Sequence, residues 1–217
     1  MTEIPTLDLG PYFSGDTSAR ERLARDLRDV QESIGFYVVV NHGVPSEPIA
    51  RAYAALKEFF ELPLDAKLKG RIDERSVGYI PAKTTVYVTS KININTKPDL
   101  NETITLARER LLDDPAIQQG QRFVGPNQWP ESLPGFRDAM IAYQDVLSVL
   151  GYAMLPLYAR ALDLSADYFD PYFTAPMWWT RNTYYPAVEP DENQFGIAPH
   201  SDHGFITLLP LSDVPGL

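Results

Sequence analysis

The clearest candidate for chemistry in this sequence is the short run His200-Ser-Asp202, which precedes an apolar stretch at residues 205–211. If this run enters a strand, side chains two positions apart project to the same face, so the imidazole and the carboxylate can converge on one cation. An imidazole, a carboxylate and one further histidine make the facial triad of non-haem Fe(II) oxygenases. A His-x-Asp triplet also arises by chance, so the spacing alone leaves both metal binding and a structural role open.

The composition restricts how such a metal could be held. The 217 residues contain no cysteine and three histidines, His42, His200 and His203. The lack of cysteine excludes a disulfide framework, a thiolate metal site and a cysteine nucleophile, which leaves imidazole and carboxylate donors. The net charge of −10 argues against a nucleic-acid partner, because such binding depends on neutralising phosphates.

The chain must also supply elements that position these donors. Apolar residues at helical spacing predict three helices, which begin near Ser18, Ser46 and Glu131, and Glu21 completes a capping box with Ser18. Strands are predicted at residues 4–9, 36–40 (buried), 177–185 and 205–211. Residues 65–130 lack a clear period and predict an irregular region. The order of these elements predicts an α+β fold.

Several motifs occur in order along the chain and strengthen the metal interpretation. They are residues 4–8, 35–44 and 98–102, the run Arg181-Asn-Thr-Tyr-Tyr-Pro186, residues 200–210 and residues 213–217. Together they resemble the Fe(II)/2-oxoglutarate-dependent oxygenase superfamily, specifically its isopenicillin N synthase-like branch. The resemblance implies a double-stranded β-helix (jelly-roll) core with a helical N-terminal region. It divides the chain into an N-terminal region at residues 1–125 and, at 126–217, a scaffold helix with the first part of the core.

The resemblance also assigns roles to individual residues. His200 and Asp202 look like the first two iron ligands. Tyr185 matches a tyrosine that hydrogen-bonds a carboxylate, either of 2-oxoglutarate or of the substrate. Thr183 sits where many relatives have an asparagine that lines the pocket. Fe(II), 2-oxoglutarate and O2 are the implied cofactor and cosubstrates.

Three further residues receive structural interpretations. His42 belongs to the Asn-His-Gly turn and is expected to be a hydrogen-bonded structural histidine. His203 lies three positions beyond His200 and is expected on the opposite strand face. Arg181 is the single basic residue among eight acidic ones at residues 161–217, so we expect it to pair with a nearby carboxylate.

The resemblance implies an enzyme that oxidises a C–H bond of a small molecule by hydroxylation, desaturation or cyclisation. Two alternatives stay open: an Fe(II) oxidase of the same fold that does not use 2-oxoglutarate, and a non-catalytic binding module on this scaffold. Because relatives carry a distal histidine and an Arg-x-Ser motif later in the core, we expect the core to be incomplete at residue 217 and the 217 residues to lack activity by themselves. With no signal-peptide pattern and no long apolar run, we expect a cytoplasmic protein without a membrane partner.

Overall fold

A computed structural model of the chain describes residues 4–88, 90, 92–211 and 214. Its helices are α1 (Gly10–Phe13), α2 (Ala19–Ser33), α3 (Ser46–Glu61), α4 (Leu64–Leu68), α5 (Pro115–Gln118) and α6 (Phe136–Ala161), with a 3-10 turn at Asp170–Tyr172. Its strands are β1 (Thr6–Asp8), β2 (Val38–Val40), β3 (Gly78–Ile80), β4 (Glu102–Ala107) and β5 (Trp179–Tyr184). The three predicted helices are confirmed as α2, α3 and α6.

The chain divides into two compact units, residues 1–47 with 145–176 and residues 48–144 with 177–217. The boundary that the sequence suggests at residue 125 stays a prediction. Every candidate site residue, namely Thr183, Tyr185, His200 and Asp202, belongs to the second unit.

The first unit pairs β1 with β2 in parallel, with Leu7 opposite Val39. Val38 and Val39 are only half-buried and Val40 is exposed, so the predicted burial of this strand is wrong. Among the described strands β2 pairs with β1 alone, so it is an edge strand.

The predicted capping box at the start of α2 is also wrong. The Ser18 hydroxyl makes no cap hydrogen bond and donates instead to the Asp16 carboxylate at 2.7 Å. Glu21 accepts hydrogen bonds from the Arg160 guanidinium at 3.1 Å. A charge-assisted bond to a guanidinium is stronger than the backbone bond it replaces.

The second unit contains a three-stranded antiparallel sheet with β4 in the centre, between β3 and β5. Thr103 on β4 pairs with Thr183 on β5. β4 lies inside the region predicted to be irregular, which is a correction. Its alternating threonines hide the strand from a search for apolar runs, yet Thr103 is fully buried and its hydroxyl donates to Asn101.

The predicted strand at residues 205–211 is wrong as well, because the structure shows no strand there. A β-strand exists only where a neighbouring strand satisfies its backbone groups, and none of the described strands pairs with these residues. The jelly-roll core therefore stays a prediction, while the α+β class agrees with the helices and sheets described.

By length and apolar composition, α6 is the one described helix that could span a membrane. Buried residues recur along it, among them Phe136, Met140, Met154 and Leu157. Length and composition are weak evidence for a membrane span, since the core helix of a folded domain has both features.

A buried ion pair fixes the start of β4 to the rest of the second unit. The Lys67 ammonium donates to the Glu102 carboxylate at 2.7 Å and to the Phe60 carbonyl oxygen at 3.0 Å. The Tyr79 hydroxyl donates to the same carboxylate. Both charges are therefore compensated by direct hydrogen bonds, which burial of charge requires.

This geometry predicts that Lys67→Met lowers the free energy of unfolding by about 3–5 kcal/mol, because Glu102 would remain as an uncompensated buried charge. Chemical denaturation followed by circular dichroism measures the change. Adding Glu102→Gln to the same protein should recover part of the loss, since the buried charge is then gone.

The matched control is Arg137→Met, which breaks an exposed pair with Glu109 and should cost less than about 1 kcal/mol. Equal losses in Lys67→Met and Arg137→Met would contradict a special role for the buried pair.

Candidate metal centre

His200 and Asp202 lie in an irregular segment, and the structure brings their side chains together without a strand. The distance from His200 Nε2 to Asp202 Oδ1 is 3.3 Å. The imidazole is largely buried, whereas more than half of the Asp202 side chain is exposed to solvent. The predicted convergence of the two donors is thus present, although the strand geometry behind the prediction is not.

The other ring nitrogen of His200 shows which tautomer the imidazole adopts. Nδ1 lies 2.8 Å from the Ala198 carbonyl oxygen, which can only accept a hydrogen bond. Nδ1 must therefore carry a proton. In a neutral ring Nε2 then has a free lone pair, and this lone pair is directed at a carboxylate oxygen.

Two acceptors 3.3 Å apart repel each other unless something positive lies between them. A proton on Nε2 or a metal cation satisfies the pair. Two ligands that bind one metal at right angles, each at ~2.0–2.2 Å, are ~3 Å apart, so the observed separation fits adjacent positions on one metal. Metal-bound histidines usually donate their other N–H to a carbonyl or carboxylate, as His200 does here.

The second carboxylate oxygen of Asp202 is also occupied. Asp202 Oδ2 accepts a hydrogen bond from the Thr207 hydroxyl at 2.9 Å. The bond leaves Oδ1 as the oxygen that faces His200, and ligating carboxylates are commonly supported in this way. The sequence motif gave no signal for Thr207, because its contact depends on the bend at residues 204–205.

Within the part of the chain that the structure describes, no cluster of three or more His, Cys, Asp or Glu side chains could hold a metal ion. His203 is exposed and belongs to no such cluster. His42, in the first unit, accepts a hydrogen bond at Nδ1 from the Val44 N–H at 3.1 Å, which confirms its structural interpretation. The third iron ligand stays a prediction, and residues 213 and 215–217 of the last sequence motif lie outside the described residues.

An aromatic ring supports the His200 imidazole from one side. The Tyr87 ring stacks on it with centroids 4.6 Å apart and planes 20° from parallel. The Arg181 guanidinium donates to the Tyr87 hydroxyl. Among the described residues no carboxylate lies within ion-pair distance of Arg181, so the expected carboxylate partner is wrong and a phenol takes its place.

The segment that carries His200 is held by the segment just before β4. We call residues 94–101 the clamp segment and residues 193–202 the ligand loop. Two backbone hydrogen bonds join them, from Leu100 N–H to the Phe195 carbonyl at 3.0 Å and from Asn101 N–H to the Gly196 carbonyl at 3.1 Å. The ligand loop therefore has a fixed neighbour although it belongs to no sheet.

Buried side chains of the clamp segment add further hydrogen bonds. The Asn95 amide donates to the Pro199 carbonyl at 3.3 Å, and the Asn101 amide donates to Gly196 at 2.6 Å. The Asp99 carboxylate accepts from the Ala198 N–H at 3.0 Å. The sequence motif at residues 98–102 includes two of these residues, but nothing in a single sequence shows which loop they hold.

Thr183 and Tyr185 lie at and just beyond the end of β5. The Thr183 hydroxyl is 3.4 Å from the Thr103 hydroxyl on the neighbouring strand. The Tyr185 ring packs against Gly196, where any Cβ would lie 2.8 Å from the ring. Glycine at position 196 thus allows the ligand loop to approach Tyr185 closely.

Partial burial raises the pKa of the Tyr185 hydroxyl, and the nearby charge of Arg181 opposes this shift. The phenol consequently stays protonated at neutral pH and can donate a hydrogen bond. Beside it lies an open cleft of about 310 Å³, lined by Tyr185 with mainly apolar neighbours such as Leu100, Val188 and Phe195.

The chain matches known proteins along nearly its whole length. Residues 4–132, more than half of the chain, match the family model for the N-terminal region of non-haem dioxygenases, described as "non-haem dioxygenase in morphine synthesis N-terminal". The 2-oxoglutarate-Fe(II) type oxidoreductase hxnY of Emericella nidulans is 31% identical over all of this chain and 63% of its own length. The 2-oxoglutarate-dependent dioxygenase eupC of a Phoma species is 32% identical over 95% of this chain and 68% of its own length.

Solved structures give the same result. A full-length Neurospora crassa protein, crystallised in complex with alpha-KG, superposes with a TM-score of 0.69 at 25% identity, over 85% of this chain and 55% of that protein. The chain spans about two thirds of the length of the two curated relatives and just over half of the Neurospora protein. By its family model and its relatives, the chain belongs to the Fe(II)/2-oxoglutarate-dependent oxygenase superfamily.

Proposed function

We propose that the protein is a non-haem Fe(II)- and 2-oxoglutarate-dependent oxygenase that oxidises a C–H bond of a small molecule. The observation that carries the proposal is the pair of donors 3.3 Å apart, with His200 Nδ1 engaged by the Ala198 carbonyl so that Nε2 faces Asp202. Family membership supplies the second support, because its curated relatives are named as 2-oxoglutarate-dependent enzymes.

His200 Nε2 and Asp202 Oδ1 are the groups that would hold Fe(II) in this chain. When bound together with 2-oxoglutarate and O2, the iron supplies the oxidising power for attack on a C–H bond. The protein contributes rigidity and placement. Tyr87 and Ala198 fix the imidazole, and Thr207 fixes the carboxylate, so neither ligand must reorganise when the cation binds.

Tyr185 is suited to hold a carboxylate beside the two ligands. Its hydroxyl is a protonated donor at neutral pH, and the positive charge of Arg181 lies close enough to affect its pKa. A phenolic donor near a guanidinium is a favourable environment for a carboxylate of 2-oxoglutarate. Thr183, on the same strand, adds a hydroxyl to this face of the site.

The cleft beside Tyr185 is a site for a small-molecule substrate. Its volume of about 310 Å³ is at the lower end of ligand pockets, and its lining is mainly apolar. A small, partly apolar substrate is thus the class that fits, whereas a polyanion would meet a protein with a net charge of −10.

The metal assignment predicts that His200→Ala and Asp202→Ala weaken Fe(II) binding by more than the ~10–100-fold typical of a lost supporting residue. Anaerobic titration with Fe(II), followed by calorimetry, measures the affinity. His203→Ala is the matched control, because it removes an exposed imidazole three positions away and should leave the affinity unchanged. Wild-type affinity in both ligand variants would show that the metal assignment is wrong.

The Tyr185 assignment predicts that Tyr185→Phe raises the apparent KM for 2-oxoglutarate by about ten- to a hundredfold. A hydrogen bond to a charged group contributes ~1.5–3 kcal/mol, and the phenylalanine ring keeps the contact with Gly196. Succinate formation at varied 2-oxoglutarate concentration gives the value.

Tyr184→Phe is the control for this measurement, since the Tyr184 ring stacks on Phe60, on the opposite face of the strand. An increase confined to the KM of the prime substrate would favour an Fe(II) oxidase that does not use 2-oxoglutarate. Unchanged constants for both substrates would mean that Tyr185 only packs.

A further inference from the structure

Asp99 is an ionisable side chain in an unusual position. It is 2% exposed, yet it has no lysine or arginine within ion-pair distance among the described residues. Burial raises the pKa of its carboxyl, and the Ala198 N–H and the charge of Arg181 only partly offset this effect. Burying an ionisable carboxyl lowers the stability of the fold, so an interaction of Asp99 must offset this cost.

The hydrogen bonds of Asp99 show what that interaction is. Oδ1 accepts from the Ala198 N–H at 3.0 Å, while the buried Oδ2 has no hydrogen-bond partner. The backbone of Asp99 is itself fixed, since its N–H donates to Thr85 at 2.8 Å and its carbonyl accepts from Lys83 at 2.9 Å. The carboxylate is thus a rigid acceptor directed at one backbone group of the ligand loop.

That backbone group belongs to the residue that orients His200. Ala198 is buried, its N–H is bonded to Asp99, and its carbonyl oxygen receives the Nδ1–H of His200. Pro199 follows directly and restricts the conformations open to Ala198. The N–H and the carbonyl of Ala198 lie in successive peptide planes that meet at its Cα, so holding the N–H restricts how far the carbonyl that faces His200 can turn.

We propose that Asp99 is a positioning residue for His200: by holding Ala198 it keeps the imidazole in the Nδ1–H tautomer with Nε2 directed at Asp202. The tautomer part of this proposal depends only on the contacts of Asp99, Ala198 and His200. Its consequence for iron rests on the proposed function, in which Nε2 is a ligand.

Hydrogen-bond acceptance, rather than charge, is the property that this role requires. An asparagine at position 99 can present its carbonyl oxygen to the Ala198 N–H and should preserve the arrangement. A leucine has a similar volume but no hydrogen-bond acceptor. It should leave the Ala198 N–H without a partner and allow the Ala198 carbonyl oxygen to move away from His200 Nδ1.

The test is nitrogen-15 NMR of the His200 imidazole in the metal-free protein, recorded at a pH raised until the spectrum itself shows a neutral ring. Wild type and Asp99→Asn should show a protonated Nδ1, hydrogen-bonded to the Ala198 carbonyl oxygen. Asp99→Leu should show a mixture of the two tautomers. An unprotonated Nδ1 in the wild type would overturn the proposal without any variant, even if Asp99→Leu did not fold.

Asn101→Leu is the matched control. It removes another buried side chain of the clamp segment that bonds the ligand loop, at Gly196 instead of Ala198. Its His200 tautomer should remain as in wild type. An equal shift in Asn101→Leu and Asp99→Leu would mean that both residues merely stabilise the loop, and it would overturn the positioning role.

Anaerobic Fe(II) titration of the same proteins adds the second readout, with affinity about 10–100-fold weaker in Asp99→Leu and close to wild type in Asp99→Asn. If the wild type bound no Fe(II) while the tautomers changed as expected, the proposed function would fail and the role of Asp99 would stand. Fe(II) binding with identical tautomers and affinities in wild type and Asp99→Leu would reject the role of Asp99 alone.

Discussion

The hydrogen bonds between the clamp segment and the ligand loop are the constraint on which the candidate site depends. Residues 200–211 pair with no described strand, so the sheet does not hold His200 in place. Backbone bonds at Leu100 and Asn101 and a carboxylate bond at Asp99 take over that task. Each of these three hydrogen bonds joins a backbone group of the ligand loop to a backbone N–H or a buried carboxylate of the clamp segment. Breaking one bond would leave a polar group without a partner, so the loop has few alternative conformations.

The clamp segment is in turn anchored to the core through its own continuation. Glu102 follows Asn101 directly, begins β4 and forms the buried pair with Lys67. β4 also pairs with β5, and the chain beyond β5 brings Tyr185 against Gly196 in the ligand loop. One central strand therefore positions both the side chain expected to bind a carboxylate and the loop expected to bind the metal. This gives a physical reason for the polar residues just before and along β4, the central strand of the sheet.

The sequence predicted the parts of this arrangement that depend on local patterns. Helical periodicity is strong in α2, α3 and α6, and the His-x-Asp spacing indicated two donors that do converge. The sequence did not predict β4, because alternating threonines resemble an exposed loop until a neighbouring strand buries them. It also placed residues 205–211 in a strand on local composition, although a strand requires a partner elsewhere. Tyr87, Asp99 and Thr207 were missed for a related reason: each acts through a contact distant in sequence or through a turn, and such contacts leave no spacing signature.

In the proposed metal centre, His200 Nε2 and Asp202 Oδ1 are directed at the same cation. Anomalous X-ray diffraction from crystals loaded anaerobically with Fe(II) tests this arrangement most directly. We expect an iron peak ~2.0–2.2 Å from both atoms, with His200 Nδ1 still bonded to the Ala198 carbonyl. An iron peak bound through Nδ1, or one at a position that involves neither His200 nor Asp202, would contradict the arrangement.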